Sequence, residues 1–265
     1  MKDTVKIMYL NPIGFDTYDE IFAEMLQTNK FANTEVHVTS LSSQIGSMDN
    51  LEYRTYNSLM ATELIKAVKQ ASDEGFNALI TGCFYDPFLL NSREISGDMV
   101  VIGPCQSSIE IALKLANKYS VIIGQKKWDY EMRHTIKGYG YDKHLASFRA
   151  VNMNVCDFQK DQDATASALL KAAKLAVEED YAEAIILGCT CEFGFYKKIQ
   201  KELQIPVIDP SIAALKQAEQ AAYMSVNYGW KPSRKWSCEA PPLEDLQRFG
   251  LFKEAYQFGN RIIIS

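Results

Sequence analysis

Short, continuously apolar runs alternate along this chain with longer segments whose apolar positions recur at three- and four-residue spacing. Residues 5–10, 35–39, 78–82, 99–102, 120–124, 148–151, 184–188 and 206–208 read as strands. Between them, Ala61, Leu64, Ile65 and Val68 form one helical stripe, and Leu169, Leu170, Ala173 and Val177 form another. A strand that is apolar at every position has no solvent face. Such strands, alternating with helices, predict an α/β fold with parallel sheets covered by helices on both sides. The segment 231-KPSRKWSCEAPPLEDLQ-247 breaks the pattern with proline and charge, and predicts an irregular wrap followed by a terminal helix.

The pattern also repeats. The helical segment 64-LIKAVKQASDEGF-76 resembles 169-LLKAAKLAVEEDY-181 at an offset of 105 residues. After one inserted residue, 78-ALITGC-83 falls on 184-AIILGC-189 and 101-VIGP-104 on 207-VIDP-210, at an offset of 106. Asp209 followed by Pro210 suits a helix N-cap with proline at the first helical position. Ser107-Ser108-Ile109-Glu110 has the form of a capping box. The repeat predicts two similar lobes, each a parallel sheet flanked by helices. They are expected to be related by a pseudo-twofold axis, with the active-site cleft between them. Residues 1–102 with 210–265 are assigned to the first lobe, expected to contribute Cys83, and 103–209 to the second, expected to contribute Cys189.

Composition narrows the function classes. The chain has 265 residues, 47% hydrophobic and 23% charged, with a formal net charge of −5. That leaves ample core and no basic surface for nucleic acid or an anionic membrane. No apolar run approaches the roughly 18–20 residues that cross a bilayer, and a cytoplasmic location is expected. The six cysteines are Cys83, Cys105, Cys156, Cys189, Cys191 and Cys238. Cys189 and Cys191 lie closer together than the usual zinc-ligand spacing, and His37, His134 and His144 are scattered, so no metal site is expected.

Cys83 and Cys189 each end an apolar strand of the repeat. Ligands of open parallel sheets bind at the carboxyl ends of strands. Backbone N–H groups just past each cysteine can hold an oxyanion, and a helix starting there is expected to lower the thiol pKa. Two thiols on opposite sides of a substrate suit proton removal from a carbon next to a carbonyl, with a proton returned to the other face.

These residues also resemble those of the aspartate/glutamate/hydantoin racemase superfamily, over roughly residues 5–222. Gly82-Cys83-Phe84-Tyr85-Asp86-Pro87 resembles the first cysteine motif of its hydantoin and allantoin racemase branch, usually Cys-Phe-Gly-Asp-Pro. Leu187-Gly188-Cys189-Thr190 resembles the second motif, and Val207-Ile208-Asp209 the segment that follows it. Asn11-Pro12, Tyr139-Gly140 and Phe148-Arg149-Ala150 are similar to further segments of that branch. Cys189-Thr190-Cys191 departs from the Cys-Thr-His of glutamate racemases, and Asn11-Pro12 from their Asp-Ser. Ile13-Gly14 and the bulky Tyr85 depart from hydantoin racemases.

The resemblance implies a cofactor-independent racemase in which Cys83 and Cys189 form the acid/base pair. Its substrate is expected to be a small molecule: a 5-substituted hydantoin, allantoin or a related amino-acid derivative. Asn11, Phe84, Tyr85, Thr190 and Cys105 are the expected substrate-binding residues, and a homo-oligomer is the expected assembly. The alternatives are a cis–trans isomerase or decarboxylase of the same superfamily acting on a dicarboxylate, and a two-lobed binding protein with no turnover. Asp86 is expected to cap a helix.

Overall fold

The computed structural model describes residues 4–42, 45–46 and 48–265. In chain order the elements are β1 (Val5–Asn11), α1 (Asp19–Asn29), β2 (Thr34–Ser40), α2 (Arg54–Asp73), β3 (Ala78–Thr81), α3 (Leu89–Ile95), β4 (Val100–Ile102) and α4 (Pro104–Leu115). Then follow β5 (Tyr119–Ile123), α5 (Asp129–Gly138), β6 (Leu145–Ala150), α6 (Gln162–Asp180), β7 (Ala184–Leu187), α7 (Tyr196–Leu203), β8 (Val207–Ile208), α8 (Pro210–Tyr228), α9 (Leu243–Arg248) and β9 (Arg261–Ile264). No helix of the described residues is long and apolar enough to cross a membrane.

The chain divides into two compact units. The first comprises the described residues up to Gly82 together with Pro87–Ile102 and Leu215–Ser265. The second comprises Cys83–Asp86 and Gly103–Ala214. Strand β3 thus belongs to the first unit, while the four residues that follow it pack with the second.

Within the first unit the sheet order is β4-β3-β1-β2-β9, parallel except for β9. Within the second it is β6-β5-β7-β8, parallel throughout. Matching β1–β4 to β5–β8 makes the two parallel orders the same. The sequence repeat is therefore a repeat of topology, and all eight strands read from the apolar runs are present with shifted ends.

Each sheet is apolar because both faces are covered. Ile7, Met8, Tyr9, Leu10, Val36, Val38, Leu79 and Ile80 are buried in the first unit. In the second, Ile122, Ile185 and Leu187 pack against Leu169, Ala173 and Ala176 of α6 and Ile199 of α7. Each fully buried Ile or Leu contributes roughly 1.5–3 kcal/mol. Of the two predicted helical stripes, Leu64, Val68, Leu169 and Ala173 form the buried centres, and Leu170 and Val177 pack at the margin.

Two local expectations are corrected. Helix α4 begins at Pro104, so Ser107 is already inside it, with its N–H bonded to the Gly103 carbonyl. Ser107-x-x-Glu110 is therefore not a capping box. The C-terminal strand β9 was not anticipated. It pairs antiparallel with β2, the outermost of the parallel strands, buries Ile264 and exposes Ile263. Three consecutive isoleucines hide that two-residue alternation from the sequence.

Candidate active site

The Gly-Cys repeat has a steric cause. The N–H of Gly82 donates to the Leu10 carbonyl at 2.8 Å, and that of Gly188 to the Ile122 carbonyl at 2.7 Å. Each bond extends a strand, β3 or β7, one step further along β1 or β5. A Cβ on Gly188 would lie 2.5 Å from the Ile122 carbonyl oxygen, and one on Gly82 would lie 2.7 Å from the ring of Tyr9. Tyr9 is fully buried. Only glycine fits at either strand end, and the cysteine is the first residue past the ladder.

The chain then turns the same way twice. The N–H of Asp86 donates to the Cys83 carbonyl, and that of Glu192 to the Cys189 carbonyl, both at 3.0 Å. Each turn therefore places a carboxylic acid three residues beyond a cysteine.

In the first turn the acid is saturated with donors. Asp86 Oδ1 accepts from the Cys105 N–H at 2.9 Å, and Oδ2 accepts from the Gln106 N–H at 2.9 Å and the Tyr139 hydroxyl at 3.0 Å. The two amides are orphan donors of the first turn of α4, whose flanking residue Gly103 has no side chain to cap them. Asp86 does cap a helix, as expected, but the helix is α4, not the short α3 that follows it in sequence. Asp86 and Phe88 both hold positive φ, 49° and 52°. Left-handed backbone at a non-glycine residue costs roughly 1–3 kcal/mol, and charge-assisted bonds at a helix N-terminus offset it.

In the second turn the acid has no donor at hydrogen-bond distance. Residues Thr190–Glu192 form a 3₁₀ turn, and Glu192 has no exposed surface. Neither of its carboxyl oxygens makes a hydrogen bond. Burial pushes its carboxyl well above the usual range, and negative charge on Cys189 or Asp209 pushes the same way; the backbone amides of Gly188 and Cys189 offset only part of this. The cap of α8 comes instead from Asp209, whose Oδ1 accepts from the Ser211 N–H at 3.0 Å and the Ile212 N–H at 3.2 Å. Asp209-Pro210 is thus the N-cap and first-turn proline expected from sequence. Burial pushes Asp209 up to about 6, against those amide bonds.

Cys83 and Cys189 are partly buried, Cys105 wholly. Cys83 retains some surface as a residue, yet protein atoms enclose its thiol. That desolvation pushes it up to about 12, the Tyr85 N–H offsets part of the rise, and charge on Cys189 or Asp86 adds to it. The expected lowering by strand-end amides is therefore outweighed at Cys83: its resting form is the thiol. Burial, with the charges of Asp86 and Cys83, holds the Cys105 thiol well up as well. A thiolate beside a second thiol disfavours its ionisation, so neighbouring thiols do not ionise together.

The second unit thus gathers Cys83, Phe84, Tyr85, Cys105, Cys189 and Thr190. Phe84 and Thr190 are buried and Tyr85 is partly buried. Asn11 lies in the first unit at the end of β1, where its Nδ2 donates to Asp19 Oδ1 and Ser40 Oγ, each at 3.3 Å. Burial pushes Asp19 up to about 6, with the Ser40 and Asn11 bonds acting against it. Among the described residues no three His, Cys, Asp or Glu side chains converge as a metal set would. Glu192 was passed over in the sequence. The available signal was an acid between Cys191 and Phe193 straight after a buried strand.

The model of the Asp/Glu/hydantoin racemase family matches residues 15–218. The chain belongs to that family. It is 31% identical over 224 residues to a hydantoin racemase of Pseudomonas sp. (strain NS671), covering 83% of this chain and 87% of the relative. Among solved structures, an allantoin racemase from Pseudomonas fluorescens superposes with a TM-score of 0.80 at 25% identity, covering 89% of this chain and 97% of that one. An allantoin racemase from Klebsiella pneumoniae shares the fold with a TM-score of 0.81 at 23% identity, covering 90% of this chain and 94% of that one. The chain is accordingly an isomerase of the racemase type, and the two cysteine turns are its candidate catalytic machinery.

Proposed function

We propose that this racemase inverts a carbon next to a carbonyl with Cys83 and Cys189 as its acid/base pair and with no cofactor. The observation that carries the reading is the matched pair of turns: two strand-end thiols in one unit, near enough that charge on Cys189 acts on Cys83. One sulfur, as thiolate, takes the α-proton. The C–H electron pair passes into the carbonyl as an enolate. The other sulfur, as thiol, gives its proton to the opposite face, and the enolate pair forms the new C–H bond. Each sulfur ends with the other's starting charge. Proton exchange with water, or turnover in the reverse direction, restores the pair.

The C5 carbon of a hydantoin lies between a ring carbonyl and a ring nitrogen, and the carbonyl takes the charge of its enolate, which brings the proton within reach of a thiolate. A 5-substituted hydantoin, allantoin or a related carbamoylated amino-acid derivative therefore fits best, as the names of the relatives also suggest. Thr190, Phe84, Tyr85, Cys105 and Asn11 are the proposed residues around the substrate. Tyr85, where the branch has a small residue, is the proposed determinant of side-chain preference. A cytoplasmic homo-oligomer is the proposed setting.

The test is turnover in D₂O of an aliphatic 5-substituted hydantoin, whose spontaneous exchange is slow. The expected result is decay of optical rotation from either enantiomer with one deuterium placed at the α-carbon of the inverted product. Cys83→Ser and Cys189→Ser should each lower racemisation by about 10³-fold or more. Wild-type rates in both variants would overturn the two-thiol mechanism. Activity on maleate without exchange at a chiral centre would favour the isomerase alternative.

A further inference from the structure

Asp86 and Glu192 occupy the same position in their turns, each with its N–H on the carbonyl of the cysteine three residues earlier. Their surroundings differ for a traceable reason. Helix α4 starts at Gly103-Pro104 and has no cap of its own, so Asp86 is drawn into that role. Helix α8 starts at Asp209-Pro210 and is capped by Asp209. Glu192 is left without the task that its counterpart performs. It is wholly enclosed with neither oxygen at hydrogen-bond distance of a donor, and a carboxylate there would lose its hydration with only the partial help of the Gly188 and Cys189 amides in exchange. The carbonyls on either side of it, Cys191 and Phe193, are held by the Gln159 side chain at 2.8 and 3.4 Å, so the turn has little freedom to expel it.

We propose that Glu192 is a positioning residue for Cys189: as a neutral carboxylic acid, it donates its O–H to the Cys189 sulfur when that sulfur is a thiolate. Two titratable groups act on it, Cys189 from its own turn and Asp209 from the start of α8. Asp209 Oδ2 is itself buried and unpartnered, and is the other acceptor open to the same proton. A hydrogen bond formed to the thiolate would lower the pKa of Cys189. This gives the pair opposite characters, with Cys83 holding its proton and Cys189 able to release one.

The inference deepens the two-thiol reading, but Cys189 ionisation can be read without any substrate. The experiment follows peptide-resolved alkylation of Cys189 by iodoacetamide against pH in the full chain, for wild type, Glu192→Gln and Glu192→Met. Glutamine keeps a donor and should leave the Cys189 midpoint within about half a pH unit. Methionine removes the donor and should raise the midpoint by about one unit, cutting alkylation near neutral pH about tenfold. Racemisation should fall by a similar factor in kcat, with KM little changed. A Cys189 midpoint that Glu192→Met leaves in place, or that both variants shift equally, would overturn the inference. Loss of the racemase reading alone would leave these midpoints unaffected. Should Glu192→Met fail to fold, infrared difference spectra of wild type minus Glu192→Gln near neutral pH decide the matter. A protonated-carboxyl C=O band that shifts as Cys189 ionises supports the proposal, and absence of that band overturns it.

Discussion

The turn after Cys83 and the turn after Cys189 share a glycine that admits no Cβ, a cysteine just past the ladder and an acid three residues on. In the first, the acid takes three donors and ties the turn to α4. In the second, it takes none, because α8 carries its own cap. A repeated backbone frame can thus hold one acid as a structural anion and the other as a buried proton carrier. What decides is the residue at the start of a helix elsewhere in each half: Gly103 in one, Asp209 in the other.

This contrast can be broken at several points. The largest stability effect is expected at Asp209, raised from 3.8 to about 6 by burial. A folded-state pKa above the unfolded one means that the folded protein binds the extra proton. Its stabilising contribution is full below about 3.8, is lost as pH rises through about 6, and amounts to roughly 3 kcal/mol. Asp209→Asn keeps an acceptor for the α8 amides and should flatten that slope in urea titrations across this window. Asp19, raised to the same value, and Glu192, raised further, should supply the slope that remains.

Next in size is the strand end. Gly188→Ala drives a Cβ to 2.5 Å from a backbone oxygen and should cost about 1–3 kcal/mol in denaturant melts. Gly82→Ala meets the ring of the fully buried Tyr9, a side chain and not backbone, and should cost somewhat less. Equal, negligible costs would remove the steric reason for the Gly-Cys repeat. Smaller still, Asp86→Ala should cost about 2 kcal/mol or less by uncapping α4 and removing the bond that the Tyr139 hydroxyl donates to Asp86. Glu192→Gln should change stability by less than about 1 kcal/mol below about pH 4.5, and should stabilise at neutral pH, where it removes the cost of the proton that Glu192 takes up on folding. A Glu192→Gln loss as large as that of Asp86→Ala would mean that the two acids play the same role.

The strands were legible in sequence because both faces of each sheet are covered, which leaves uninterrupted runs such as Ala184–Leu187. The repeat was legible because Gly82 and Gly188 are sterically required. Strand β9 was hidden because its exposed Ile263 is as apolar as its buried Ile264. The capping of α4 was misassigned because the cap is Asp86, far from that helix in sequence, and proximity favoured Ser107. Glu192 escaped notice for a related reason. An acid reads as surface until its burial is known, and its lack of donors depends on Asp209, 17 residues away. The cysteines could be picked out from local pattern; their protonation depends on enclosure, which the pattern does not carry.

The central claim is that two thiols work from opposite faces of one carbon. It is tested most directly by α-proton exchange in D₂O with single-cysteine variants, starting from each pure enantiomer of an aliphatic 5-substituted hydantoin. Cys83→Ala and Cys189→Ala should each exchange one enantiomer only, opposite ones, with retention of configuration and without racemisation. Exchange of the same enantiomer by both variants, or continued racemisation by either, would contradict the account.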